Sequence, residues 1–144
     1  MNKLYPTIEP YNTFNLSVSD IHTIFVEESG NSKGNFLPNN PLLLGNSVIS
    51  YQYSEGLQSF IKLRHVGKQF VDDNNTLEGV IDPFTIVDLG SSLKFEKVAL
   101  NLKINNLLDT MYSTYGYGYE WDGYWAFFWP GATRSFYASL EYNF

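Results

Sequence analysis

The last ten residues, Ser135-Phe-Tyr-Ala-Ser-Leu-Glu-Tyr-Asn-Phe144, alternate without a break. Phe136, Ala138, Leu140, Tyr142 and Phe144 share one parity; Ser135, Tyr137, Ser139, Glu141 and Asn143 share the other. Successive side chains of a strand point to opposite faces, so this stretch predicts a strand with one apolar, aromatic face and one mostly polar face. A final strand of that kind points to a transmembrane β-barrel, whose apolar face meets lipid and whose aromatics sit at the interface.

The same period of two recurs along the chain, while sustained helical periodicity is missing. A first strand is predicted over Asn12–Glu28, with Phe14, Leu16 and Val18 in step and a break of phase after Asp20. A second covers Leu43–Ser54, a third Leu57–Phe70, a fourth Phe84–Phe95 and a fifth Val98–Leu107. In the fifth, Val98, Leu100, Leu102 and Ile104 oppose Ala99, Asn101, Lys103 and Asn105. Phe60 and His65 interrupt the pattern of the third. Glu55-Gly56 and Glu96-Lys97 read as tight hairpin turns, whereas Ser29–Leu42, Val71–Pro83 and Leu108–Thr133 are long connections. Short and long connections therefore alternate, as periplasmic turns and extracellular loops do in outer-membrane barrels. The expected fold is all-β: an antiparallel up-and-down meander of about six long strands. Closure needs about eight strands, so such a sheet reads as an arc of a larger wall.

Composition narrows the function classes. Aromatic residues make up 17% of the 144 residues and charged residues also 17%, which favours packed β-structure over disorder. The net charge of −6 argues against a general nucleic-acid binder, because phosphate must be met by basic surface. No Cys is present, which removes thiolate metal sites, disulfides and Cys nucleophiles. No run of about eighteen apolar residues exists, so no membrane-spanning helix is expected. Met1–Pro10 carries no apolar h-region of a signal peptide. No Gly-x-Ser-x-Gly elbow, phosphate-binding Gly loop or local acid–base pair is found, so no enzyme activity, catalytic residue or cofactor is expected. His22 and His65 are isolated, and Asp72-Asp73-Asn74-Asn75 lacks EF-hand spacing, so no metal site is expected.

Two segments resemble a known family. Asn105-Asn106-Leu107-Leu108-Asp109-Thr-Met-Tyr112 resembles the Asn-Leu-Phe-Asp-x-x-Tyr segment of TonB-dependent outer-membrane receptors. Trp129-Pro130-Gly131-Ala-Thr-Arg134-Ser-Phe136 resembles their Pro-Gly-x-x-Arg-x-Phe segment, which opens the final strand. Tyr51–Phe70 and Asp82–Leu89 lie upstream in the expected order, and the resemblance runs over about residues 35–144. It implies the C-terminal part of a barrel that has twenty-two strands in the full-length family, seated in the outer membrane of a Gram-negative bacterium. The signal peptide and the plug domain are expected to be absent from residues 1–144, so coupling to TonB would run through the plug elsewhere. Implied partners are outer-membrane lipid, the rest of the receptor and the barrel-assembly machinery, which would read Leu140, Tyr142 and Phe144. The family imports siderophores, vitamin B12, haem or glycans; the substrate of this chain is left open.

Nine aromatic residues crowd the fifteen positions from Tyr115 to Trp129. They suit stacking on a ligand, for which Tyr119, Trp121, Tyr124 and Trp125 are the candidates. They suit better still an interfacial girdle packed against neighbouring loops, which is the favoured reading. Lys62, Arg64, Lys68, Lys94 and Lys103 are expected on the polar face with Asp88 and Glu141, and Arg134 is expected to pair with a nearby carboxylate. Two other classes compete: a soluble β-sandwich or barrel binding carbohydrate through the Tyr/Trp loop, and a small structural outer-membrane barrel made by oligomerising arcs.

Overall fold

The computed structural model describes residues 34–144, together with the backbone of one earlier strand, β1 (Asn12–Asp20). The part of the predicted first strand beyond Asp20 lies outside the described residues. The strands that follow are β2 (Leu43–Ser54), β3 (Leu57–Val66), β4 (Gln69–Phe70), β5 (Val80–Ile81) and β6 (Phe84–Phe95). After them come β7 (Val98–Asn105), β8 (Ser113–Glu120), β9 (Tyr124–Pro130) and β10 (Ser135–Tyr142). Six form one antiparallel sheet in the order β1-β2-β3-β6-β7-β10; β4–β5 and β8–β9 are separate two-stranded hairpins. The sheet is the expected meander, with neighbours in space following neighbours in sequence.

Register explains the sidedness. Ile49 lies opposite Ile61, Ile61 opposite Leu89, Leu93 opposite Leu100, and Leu100 opposite Leu140, so apolar positions line up from β2 to β10. This face is exposed: Phe136 and Leu140 keep 74% and 72% of their surface. Tyr51, Tyr53, Phe95, Tyr142 and Phe144 crowd its short-turn end and are all exposed. The opposite face is polar. Ser92 Oγ donates to Asn101 Oδ1 at 2.7 Å and Asn101 Nδ2 donates to Ser139 Oγ at 3.2 Å, a ladder across β6, β7 and β10. A sheet buried against a second layer would show the reverse exposure, and among the described residues no second sheet covers the apolar side. The twelve residues of β6 extend about 37 Å, which at a tilt of about 45° crosses about 26 Å, close to the apolar band of an outer-membrane barrel.

Phe60, an interruption in the sequence pattern, sits on the polar face opposite Gly90. A Cβ on Gly90 would lie 2.2 Å from the Phe60 ring, so the glycine is what lets that ring lie flat on the strand. His65 falls on the apolar side near the long-loop end, where its Nδ1 is 2.9 Å from Thr85 Oγ1.

Three boundaries differ from the sequence expectation. The third strand stops at Val66 instead of running to Phe70, because Gly67 turns the chain against Leu43; its N–H donates to Leu43 O at 2.7 Å and a Cβ would strike that backbone. The fifth stops at Asn105, because Asn106 adopts φ +49°, a left-handed conformation that Asn tolerates. The connection Leu108–Thr133 contains the β8–β9 hairpin where only a loop was expected. The buried apolar residues Phe70, Val71, Ile81, Phe84, Ile86 and Val87 gather at the long-loop end, under these hairpins.

Candidate functional site

The long-loop end is held together by the residues of the two motifs. Asn106 is 3% exposed, and its side chain ties three strands of chain. Its Oδ1 accepts from Thr110 N at 2.9 Å, while Nδ2 donates to Thr110 O at 3.0 Å and to Ala132 O at 3.1 Å. Its own N–H donates to Asp88 Oδ1 at 3.0 Å, so a polar-face carboxylate of β6 anchors the turn. Leu107 N donates to Val87 O at 2.7 Å, continuing the attachment to β6. Asp109, at φ +55°, accepts from Arg134 N at 2.9 Å and lies 3.4 Å from the Arg134 guanidinium.

Tyr112 completes this knot. Its ring packs 4.5 Å from Phe84, and its carbonyl accepts from Gly131 N at 2.8 Å. A Cβ at Gly131 would lie 2.1 Å from the Tyr112 ring, so only glycine fits there. Pro130 ends β9 opposite Ser113, Asn105 Nδ2 donates to Ser135 Oγ at 3.1 Å, and Phe136 begins the exposed apolar row of β10. The knot brings together Asn105, Asn106, Leu107, Asp109, Tyr112, Pro130, Gly131 and Arg134, far apart in sequence, where β7 and β10 give way to the hairpin.

The hairpin has two unlike faces. Tyr115 pairs with Trp129, Tyr117 with Phe127 and Tyr119 with Trp125, so six aromatic side chains share one face. All six are exposed. Tyr115 and Trp129 meet edge to face at 5.3 Å, and Tyr119 and Phe127 stack at 6.3 Å, so the rings form a continuous surface. The other face carries Gly116, Gly118, Ala126 and Phe128 and is turned to the β4–β5 hairpin. Cβ atoms on Gly116 and Gly118 would collide with Val71 and with the Tyr124 hydroxyl, so these glycines permit the close approach.

Of the four ligand candidates, Tyr119 and Trp125 stand on the aromatic face and Trp121 at the tip, 78% exposed. Tyr124 points the other way, because the three-residue loop Trp121-Asp122-Gly123, with positive φ at its last two residues, leaves Tyr124 opposite Glu120. Its hydroxyl donates to Asp72 Oδ2. Burial raises the Tyr124 pKa above the usual phenol value, and the bond to Asp72 and the charges of Asp72 and Glu78 push it further the same way. Asp72 Oδ1 is taken by Asn74 N, Thr76 N and Thr76 Oγ1, so both of its oxygens are engaged by protein donors.

Two asparagines fasten the segment before β2: Asn39, which the sequence did not single out, and Asn75, which the sequence offered only as part of a run without metal-site spacing. Asn39 pairs its amide with Gly116, Nδ2 donating to O and Oδ1 accepting from N, both at 2.9 Å. Asn75 treats Phe36 the same way at 2.8 and 2.7 Å. Lys68 lies with its ammonium 4.6 Å from the Phe70 ring centre. At the other end of the sheet, Leu140 and Tyr142 stand on the exposed apolar face, and the Phe144 ring meets Tyr142 edge to face at 5.2 Å.

No protein-family model matches the sequence. Among solved structures, the fold is similar to that of the ferric yersiniabactin uptake receptor FyuA from Yersinia pestis, with a TM-score of 0.77 and 18% identity over 99% of this chain. It is also similar to the siderophore receptor PiuA from Acinetobacter baumannii, with a TM-score of 0.62 and 20% identity over 89% of this chain. The chain spans 22% of the first receptor and 19% of the second, about a fifth of their length. At these identities the likeness is one of fold: the described sheet is built as an arc of such a receptor's barrel.

Proposed function

We propose that this chain is the C-terminal arc of the barrel of a TonB-dependent receptor in the outer membrane of a Gram-negative bacterium. It supplies barrel wall, the last outer loops and the terminal strand that the assembly machinery reads at Leu140, Tyr142 and Phe144. The observation that carries this reading is the exposed apolar face of the six-stranded sheet, with aromatic side chains at its short-turn end and a hydrogen-bonded polar face behind it. Water would leave that apolar surface unpaid by any contact, whereas lipid covers it and leaves the polar face to a hydrated lumen. The two similar solved structures support a siderophore as the transported ligand. The aromatic face of the hairpin, with Tyr119, Trp125 and the tip residue Trp121, is the ligand-contacting part; Tyr124 serves it by fixing the hairpin to Asp72. The chemistry is binding and gated passage.

The chain has no Cys, so single substitutions give clean labelling. In intact cells a membrane-impermeant maleimide is expected to label Trp121→Cys at the hairpin tip. Glu96→Cys, in a short turn, is expected to react only after the outer membrane is permeabilised. Equal labelling of both in intact cells, or the reverse order, refutes the orientation.

A further inference from the structure

An open groove of about 440 Å³ runs between β5 with the residues after it, the knot, and the end of β9. Its walls are mainly apolar and aromatic: Val80, Pro83, Phe84, Tyr112, Phe128 and Pro130 among them. Among the described residues Asp82 is its sole charged lining residue, and it is exposed. Met111 at the groove's rim is 92% exposed. The surroundings share the sign of Asp82. From Gly67 to Arg134, outside the sheet strands and their short turns, the described acids are Asp72, Asp73, Glu78, Asp82, Asp109, Glu120 and Asp122. The only cations in that region are Lys68, lying over the Phe70 ring, and Arg134, paired with Asp109.

We propose that this groove binds an apolar organic cation, an aryl- or alkylammonium group whose hydrocarbon part enters between the rings and whose charge stands at Asp82. Three features converge on that class. The walls offer apolar surface and include the partly exposed ring of Phe128, and an aromatic ring attracts a cation through its quadrupole. The single fixed charge at the mouth is negative. The acidic loops concentrate cations and repel anions over the whole end of the molecule, an effect that fades with added salt. The groove is separate from the exposed aromatic face of the hairpin, because Phe128 belongs to the opposite face. It also stands on its own geometry, whether or not the sheet below lies in a bilayer.

The full chain, folded in a nonionic detergent, is titrated calorimetrically with benzyltrimethylammonium and with benzenesulfonate, each corrected against empty micelles. The ammonium probe is expected to bind at least tenfold more tightly than the sulfonate. Asp82→Asn is expected to cut that preference about three- to fivefold, the range of a charge pair that remains in contact with water. Met111→Lys, at a position too exposed to disturb packing, is expected to abolish ammonium binding by placing a cation at the rim. Equal binding of the two probes, no binding of either, or ammonium affinity unchanged in both variants overturns the proposal.

Discussion

Replacing Asn106 with Ala removes an amide that makes three hydrogen bonds and leaves Thr110 N, Thr110 O and Ala132 O without their partner. These groups surround a side chain only 3% exposed, so water replaces it poorly. At about 1 kcal/mol for each bond, and with about 1 kcal/mol more for an Ala held at positive φ, the loss is about 3–4 kcal/mol. The cost falls on the joint between sheet and hairpin, since both partners of the amide lie in the segments that flank β8 and β9. Local opening of the hairpin should therefore become easier while the β2–β3 pairing is untouched. Measured by hydrogen–deuterium exchange in detergent, the amides of Thr110, Gly131 and β8–β9 are expected to exchange about 100- to 1000-fold faster, at 1.4 kcal/mol per factor of ten. Asn106→Gly keeps the loss of hydrogen bonds but removes the backbone strain, and should be milder by about 1 kcal/mol. Exchange within threefold of the parent in the Ala variant, or acceleration shared equally by β2 and β3, refutes the role given to this side chain.

Gly131→Ala drives a methyl group into the Tyr112 ring and should destabilise the same joint by about 1–3 kcal/mol; adding Tyr112→Ala should recover part of that loss, and strict additivity of the two changes would contradict the contact. Tyr124 has a pKa raised above the unfolded phenol value of about 10, so the stability it contributes is complete below that pH and is lost as pH rises past it toward the folded value. In a tyrosinate absorbance titration, Tyr124→Phe should delete a group that ionises later than the exposed tyrosines, and deletion of an ordinary one instead would refute the burial argument. Leu102→Arg, on the exposed apolar face near the middle of β7, should cost about 2–4 kcal/mol if that face meets lipid and should lower recovery in the outer membrane far more than Asn101→Arg on the polar face. Equal recovery of the two variants would remove the lipid from that face.

The sheet was legible because its strands are long and its two faces differ in chemistry. β2 and β6 begin and end where the alternation of Leu43–Ser54 and Phe84–Phe95 does, since each side chain's solvent is decided by its parity alone. The β8–β9 hairpin carried signals of another kind. Tyr115–Tyr119 also alternates, but Tyr alternates with Gly and not with polar residues, so a search for apolar against polar passes over it. Asp122-Gly123 is a recognised hairpin signal, but a two-residue turn there would pair Trp121 with Tyr124 and set Tyr124 beside Tyr119; the observed loop takes in Trp121 as well and shifts Tyr124 opposite Glu120, onto the other face. The amide clasps of Asn39 on Gly116 and Asn75 on Phe36 had no local signal. They join residues 77 and 39 positions apart, and an asparagine in a turn reads the same whether or not its amide imitates a strand.

The placement of buried residues follows from a change of surroundings along the sheet. Below the knot, apolar side chains face outward and hydrogen-bonded polar ones face inward, an arrangement that costs free energy in water and gains it in lipid. Above it, the order inverts: Val71 and Phe70 are buried beneath the hairpins, as apolar groups are in water. β6 crosses this boundary in one unbroken register, with Phe84 and Ile86 buried on the side that carries Asp88 and Ser92 lower down, whereas β7 and β10 end at it. The left-handed residues Asn106 and Asp109 after β7, with Gly131 before β10, break the phase on both strands at one level. Their chemistry is fixed by that task. Asn and Asp accept the backbone conformation and bind the freed amides, and Gly admits the Tyr112 ring that seals the joint. The two motifs are therefore the two halves of one phase-breaking joint, and the hairpin they release can carry an exposed aromatic face without disturbing the wall beneath it.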